Sequence, residues 1–513
     1  MVQLDHSLVQ IGGSRVDQSG KVAAVASRIR EMVHSGTLRA GDALPSTRSL
    51  AVQLGVARGT VVTAYEQLDG EGYIRTRQGA AARVVSDVPV GVTLQVPTTI
   101  PHAPADRQVI DLRPGIPAVT AFPTRDWRAA WRAAAELPLA NALSDPFGAT
   151  ALREQIAALG LTRAFVPDPS QVIVTAGTSE ALSLITDALR ALHRRTPRFA
   201  VEDPGYRSGR RAILGSGGEL TGIPVTDEGL DLDRLEAVAR ERGFPDAVMV
   251  TPTHQYPLGS VMPVSQRRRL LEWAGANQIV VIEDDYDSEF RHRGVPMPAL
   301  ASLDVEGVVL HLGGFSKILD PRLRCAYMVL PAAGTPGNGA KPGKSNQGHK
   351  SAEYKGAKGA ERIGSRFADA LTQARAARGP VVSEVVQQAL AHLIRTGALR
   401  RHLGRVRRDY VHRRDRIATR VADAAIPGLE VRALAGGLHV VLMWPLQDDV
   451  SGSRVVLPDA ASMRARLTRD GILVEELANY AVSPGTALNG LVLGYGAASL
   501  TQLDRALDVI LRS

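Results

Sequence analysis

The chain has 513 residues, of which 44% are hydrophobic and 22% charged, and it carries one cysteine, Cys325. That length exceeds one ordinary core, so two or three domains are expected. A single thiol excludes an intramolecular disulfide and a multi-cysteine metal site, so no metal centre is expected. No apolar run is long enough to span a membrane, and Met1–His6 has neither signal nor transit character, which predicts a cytoplasmic protein without a membrane partner. The net charge of +9 permits nucleic-acid binding, but its placement tempers that reading. Residues 1–86 hold ten Lys/Arg against seven Asp/Glu, whereas residues 331–366 hold seven against two.

The first predicted helix runs over Val22–Val33, with Val22, Val25, Ile29, Met32 and Val33 on one face. Gly36 stops it. Ser46 is placed to cap a second helix, Thr47–Leu54, because its hydroxyl can accept a bond from the first-turn amides. Gly55 supplies a tight turn, and a third helix follows over Arg58–Leu68. Two helices joined through such a turn form a helix-turn-helix. Gly70-Glu71-Gly72-Tyr73-Ile74 then opens a hairpin whose Arg75, Arg77 and tip, Gln78-Gly79, make a basic wing.

The stretch LRAGDALPSTRSLAVQLGVARGTVVTAYEQLDGEGYIRTRQG, Leu38–Gly79, resembles the winged-helix domain of the GntR family of bacterial regulators. The resemblance implies that this part binds a double-stranded DNA operator. Arg48 and Arg58 would reach phosphates or base edges, Thr60 and Thr63 would face the groove, and Arg77 would enter the adjacent minor groove. The chemistry agrees, since the arginine fork suits phosphate and guanine. Two positions depart from the family: Ala57 stands where a capping hydroxyl or amide is usual, and Gly59 where a polar residue is. The first removes a cap and the second costs about 1 kcal/mol of helix propensity.

Residues 87–108 hold Pro89, Pro97, Pro101 and Pro104 without sustained periodicity and read as a semi-rigid linker. The domains expected are therefore 1–86, DNA-binding, and 109–513, joined by 87–108. From Asp111 onward short β-branched runs alternate with Ala/Leu/Arg-rich helical patterns. The strands are expected at Gln171–Thr175, Ala247–Thr251, Ile279–Glu283 and Val308–Leu312. That alternation predicts an α/β domain with a mostly parallel sheet. Pro331–Lys358, rich in Gly, Lys, Ala, Ser and Pro, has too few large apolar residues to offset ordering entropy and reads as a disordered basic insertion.

Four clusters carry the chemistry of the second part. Thr175-Ala176-Gly177-Thr178-Ser179-Glu180 is a strand ending in a Gly-hydroxyl turn that opens a helix, suited to phosphate. Glu202-Asp203-Pro204-Gly205-Tyr206 places an aromatic ring at a strand end. Val280–Asp287 is a buried run finishing in carboxylates and Tyr286. Leu312-Gly313-Gly314-Phe315-Ser316-Lys317 leads on to Pro321 and Arg324. A lysine, a carboxylate and a phosphate cradle are what pyridoxal 5'-phosphate requires: the amine condenses with the aldehyde, and the carboxylate keeps the ring nitrogen protonated.

With TPTHQYPLGSVM (251–262), IEDDYDSEF (282–290) and GGFSKILDPRLR (313–324), this part resembles the fold-type-I aminotransferases, and the whole chain resembles the MocR subgroup of GntR regulators. That resemblance implies a winged helix-turn-helix followed by an α/β fold-type-I domain with a smaller C-terminal α+β domain. It makes Lys317 the imine lysine and Asp284 the partner of the pyridine nitrogen. Tyr286 would meet the ring hydroxyl, and Tyr206 would pack on the ring. Thr178, Ser179 and Arg324 would hold the phosphate, and His254 or Gln255 would lie near the ring hydroxyl. Asp285 reads as a solvated or capping carboxylate. A homodimer is implied, with a small-molecule effector, either the cofactor itself or an amino compound.

Three departures set the functional expectation. Gly314 replaces the usual hydroxyl residue before the lysine, and Leu143 replaces the tyrosine that reaches the partner's phosphate. Val492 stands where aminotransferases carry the arginine that clamps substrate carboxylate. The expectation is thus a cofactor-binding regulator and not an enzyme beyond a vestigial half-reaction. The alternatives are an active aminotransferase with an accessory DNA-binding domain and a cofactor-free dimerisation scaffold.

Overall fold

In the computed structural model the described residues are 18–77, 80–85, 109–291, 297–331, 362–446, 457–483 and 488–512. The wing tip Gln78-Gly79, the linker and nearly all of the expected insertion lie outside them. The chain divides into two compact units, 1–105 and 106–513.

The first unit comprises α1 (Gln18–His34), α2 (Thr47–Leu54), α3 (Arg58–Gly70), β1 (Ile74–Arg75) and β2 (Arg83–Val84). Val25, Ile29, Met32 and Val33 of α1 are buried with Leu50, Val61, Ala64 and Leu68, so the helical spacing read from sequence builds this small core. Ser46 Oγ accepts the Ser49 amide at 3.1 Å, and Gly55 ends α2 at φ +63°. Ala57 gives α3 no side-chain cap. Two longer links fix the helices: Tyr65 donates its hydroxyl to the Pro45 carbonyl at 2.8 Å, and Arg30 makes a two-pronged contact with Glu71 at 2.7 Å. β1 and β2 pair antiparallel, Ile74 opposite Val84.

The second unit opens with β3 (Ile110–Asp111), α4 (Thr124–Ala135), α5 (Thr150–Leu159), β4 (Val172–Thr175), α6 (Thr178–His193) and β5 (Arg198–Asp203). It continues through α7 (Arg207–Gly215), β6 (Glu219–Thr226), β7 (Gly229–Leu230), α8 (Leu232–Arg242), β8 (Ala247–Val250) and α9 (Val264–Ala276). Next come β9 (Val280–Asp285), β10 (Val309–Gly314), β11 (Ala326–Val329), α10 (Ile363–Arg378), α11 (Glu384–Arg395) and α12 (Ala398–Ala424). All of these strands except β3 form one sheet in the order β4-β11-β10-β9-β8-β5-β6-β7. β6, β5, β8, β9 and β10 are parallel neighbours, while β11 runs antiparallel to both β10 and β4. The central strands are buried along nearly their whole length, as expected of a sheet covered by helices on both faces.

A second, four-stranded sheet collects β12 (Glu430–Arg432), β13 (His439–Met443), β15 (Glu475–Glu476) and β16 (Gly490–Gly494), with α13 (Ala460–Arg469) and α14 (Leu500–Leu511) packed by it. β14 (Ile472–Leu473) pairs parallel with β3, so the segment that opens the second unit is tied to its C-terminal part. No helix among the described residues is long and apolar enough to cross a membrane.

Candidate functional site

Open α/β sheets place ligands at the carboxyl ends of their parallel strands. Here a cavity of about 200 Å3 lies at those ends, and Thr178, Ser179, Tyr206, Asp284, Tyr286, Lys317 and Arg324 all line it. Residues up to 146 positions apart in sequence meet because β4, β5, β9 and β10 each end beside it. Thr178 and Ser179 form the first turn of α6, whose unpaired amides and positive dipole end open towards the cavity. Gly177 precedes them at φ +97°, and a Cβ there would lie 3.0 Å from the Arg324 guanidinium. Only glycine allows that approach, and Arg324 Nη2 donates to the Ala176 carbonyl at 3.1 Å.

Asp284 ends β9. Its carboxyl is buried, has no hydrogen-bond partner among the described residues, and is raised to about 7 by burial and by Asp285, Glu202 and Asp287. Lys317 Nζ donates to the Gly115 carbonyl at 2.9 Å, and burial lowers its pKa against the opposing pull of Asp284. Gly115 has φ +83°, and a Cβ there would sit 2.0 Å from Nζ. The lysine amine therefore depends on that glycine for its place. Tyr206 stands edge-on to Tyr256, with ring centroids 6.3 Å apart, and burial pushes its phenol up to about 12.

The structure alters four expectations drawn from sequence. Gln255 is turned away from the cavity, donating to the Pro204 carbonyl at 2.9 Å, and His254 Nδ1 lies 2.9 Å from Asp287. The residue of this segment that lines the cavity is Tyr256, one position beyond the expected pair. Tyr286 lines the cavity, but its hydroxyl lies 3.0 Å from His254 Nδ1. Asp285 is not solvated. It forms an ion pair with Arg163 and accepts from Ser288 at 2.9 Å, because alternation along β9 turns it from the face of Asp284. Finally, Thr60 is 2% exposed and belongs to the core of the first unit, so it cannot face a groove. Thr63, Arg48, Arg58 and Arg77 are exposed.

The departures also find their places. Gly314 lines the cavity and offers no hydroxyl. Leu143 is 86% exposed. Val492 is buried in an apolar cluster with Ala433, Val441, Leu477 and Tyr480, and its side chain offers a carboxylate no cation.

Fold and site together define a winged helix-turn-helix joined in one chain to an aminotransferase-like unit. Residues 21–84 match the model of bacterial regulatory proteins of the gntR family, and residues 107–491 that of aminotransferase class I and II. The HTH-type pyridoxine biosynthesis transcriptional regulator PdxR of Corynebacterium glutamicum is 35% identical, over 92% of this chain and 91% of its own. The probable rhizopine catabolism regulatory protein MocR of Rhizobium meliloti is 32% identical, over 75% and 74%. Kynurenine aminotransferase of Pyrococcus horikoshii shares the fold of the second unit, with TM-score 0.63 at 22% identity over 79% of this chain and 91% of that one. The chain belongs to the MocR subgroup of GntR-family DNA-binding transcription regulators.

Proposed function

We propose that residues 1–86 read a double-stranded operator as half of a homodimer in the cytoplasm, and that residues 109–513 bind pyridoxal 5'-phosphate as a sensor group. The observation that carries the cofactor reading is Asp284: a buried carboxyl without a hydrogen-bond partner among the described residues, opening on a cavity that also holds a buried lysine amine. Such a group is costly unless a cation or donor meets it. A pyridinium N–H is of the right kind. When bound, the cofactor supplies an aldehyde that condenses with primary amines and a ring that withdraws electrons.

The chain's own residues divide the work. The amides of α6, the Thr178 and Ser179 hydroxyls and Arg324 bind the phosphate. Asp284 holds the proton at the ring nitrogen. Tyr206 and Tyr256 enclose the ring, with Tyr286 beside them. Burial keeps a share of Lys317 as the free amine, the form able to attack an aldehyde. Leu143 and the fully exposed Leu139 supply apolar surface that a second copy would cover. In the first unit Arg48, Arg58, Thr63 and Arg77 contact the DNA.

Sensing is favoured over turnover because Val492 and its apolar neighbours leave no clamp for a substrate carboxylate there. The regulator of pyridoxine biosynthesis among the relatives suggests that the signal is the cofactor itself. A gel-shift titration of the chain's own upstream region, with and without pyridoxal phosphate, tests this. The expected result is an operator affinity changed about tenfold by the cofactor. Unchanged affinity, or steady transamination of an amino acid with a 2-oxo acid, would overturn it.

A further inference from the structure

The second unit contains another, larger cavity, of about 380 Å3, which none of the cofactor-binding residues explains. It lies between α5, the part of the sheet formed by β9–β11 and the face of α12. Two backbone segments separate it from the cofactor cavity. At the end of β9, Asp284 lines the first cavity while Asp285 lines both; after β10, Lys317 lines the first and Ile318 the second. One wall is apolar, built from Leu159, Phe165, Leu399 and Leu403.

The polar groups on the other side are of opposite sign and close together. Glu289 lines the cavity, and its carboxyl has no hydrogen-bond partner among the described residues. Burial and the neighbouring Asp285 raise its pKa against the opposing pull of Arg163, and no ion pair closes on it among the described residues. Arg163 acts on it only through its charge, its donors being engaged by Asp285, Thr253 and the Met297 carbonyl. Arg407 Nε donates to the backbone carbonyl of Glu289 at 2.9 Å, which ties a guanidinium to that residue's main chain without an ion pair to its carboxyl, its two terminal nitrogens uncommitted among the described residues. Arg400, Gly404 and Arg407 follow one another at helical spacing along the α12 face that closes the cavity. Between the two arginines Gly404 leaves a gap, for a Cβ there would meet nothing within 4 Å.

We propose that this second cavity is a binding site for a free amino acid with an apolar side chain: the ammonium meets Glu289, the carboxylate meets Arg407, and the side chain lies along the leucine and phenylalanine wall. A neutral apolar ligand would leave both charged groups unused, and a simple anion would be repelled by Glu289 and Asp285. The zwitterion answers both and fills the apolar remainder. Because Ile318 and Asp285 are the chain neighbours of Lys317 and Asp284, an occupant here bears on the backbone that carries the cofactor residues. The regulator would thus have two small-molecule inputs.

The test uses N,N-dimethyl-L-phenylalanine, a zwitterion whose tertiary amine cannot condense with an aldehyde, so that binding at the cofactor's reactive carbon is excluded. Calorimetry on the full-length protein loaded with pyridoxal phosphate should show one site per chain. Gly404→Leu, which closes the gap on α12, and Glu289→Gln and Arg407→Ala, which each remove one head-group contact, should weaken binding at least about tenfold. Lys317→Ala should retain it, so this outcome separates the second site from the cofactor reading. Circular dichroism on the exposed-residue variant Arg407→Ala controls for folding. No binding at millimolar probe, equal binding to wild type and Gly404→Leu, or loss on Lys317→Ala alone would each overturn the proposal.

Discussion

The two functional surfaces of this chain are built in opposite ways. In the first unit Arg48, Arg58 and Thr63 are exposed and come from two adjacent helices within sixteen residues of one another. The partner proposed there is a polyanion, and the surface waits in water for it. In the second unit Asp284 ends a strand and the other side chains lie beyond strand ends, mostly withdrawn from solvent, and the carboxyl of Asp284 is held away from its ordinary ionisation. A surface that meets DNA can be made by a short local motif on a small core. A site that must tune a lysine and a carboxylate needs burial, and burial needs a large sheet.

The largest effect should come from Lys317→Ala, which separates the two surfaces outright. Borohydride reduction followed by peptide mapping should place the cofactor on Lys317 in the wild type and nowhere in the variant. The variant's winged helix keeps its exposed arginines. Residual reducible adduct in the variant would move the attachment point to another lysine. Arg58→Ala is the mirror experiment. At the first turn of α3 its loss should weaken operator binding about tenfold to hundredfold while the absorption spectrum of bound cofactor stays that of the wild type. Wild-type affinity in a gel shift would show that α3 does not read DNA.

Asp284→Asn gives a smaller and pH-dependent effect. In the cofactor-free protein the folded value of about 7 lies above the ordinary 3.8, so folding takes up a proton between those limits. The stability tied to that proton is full at the low end and is lost as pH rises through about 7. The amide of the variant carries no charge to bury. Without cofactor it should therefore be more stable than wild type by roughly 1–3 kcal/mol above neutral pH. That advantage should vanish on acidification, while cofactor retention falls at every pH. Thermal melts across pH read the first quantity and dialysis the second. A wild-type protein that is the more stable one at alkaline pH would mean that Asp284 already has a partner cation.

The same contrast governs what could be read before the structure. α2 was legible to the residue, Thr47–Leu54, because capping serine, apolar spacing and Gly55 are local signals. The strands around the cavity were legible as β-branched runs, and the order of the clusters pointed to seven residues that the fold brings to one cavity. Thr60 misled because a polar residue on the recognition helix reads as groove-facing, whereas helical phase places it at 2% exposure beside Val61 and Ala64. Asp285 misled for a related reason: its burial is set by Arg163, 122 positions away, which no spacing in IEDDYD reveals. Tyr256 was missed by one register position, since a polar run such as Thr253-His254-Gln255 does not announce which side chain a loop will turn inward. The second cavity had no sequence signal, for Glu289 and Arg407 are brought together only when α12 packs across the strand ends.

Gly59→Ala is expected to have the smallest effect and bears most finely on the DNA-facing half of the comparison. Gly59 is the second residue of α3, in helical conformation and exposed, and a Cβ there meets nothing within 4 Å. Ala57 ahead of it provides no side-chain cap, so the start of α3 is doubly weak: uncapped, and then entropically costly to order. Alanine should stabilise that turn by about 1 kcal/mol. Hydrogen exchange should register this as added protection confined to the α3 amides. The added methyl stands beside Arg58 on the face offered to DNA, so the operator separates two roles for the glycine. If affinity rises or holds, the glycine costs stability without aiding recognition, and the weak start of α3 is incidental. If α3 gains protection and operator binding nevertheless falls as far as with Arg58→Ala, the bare backbone at Gly59 is itself part of the contact. Close approach of main chain to phosphate would then be what the missing side chain makes possible.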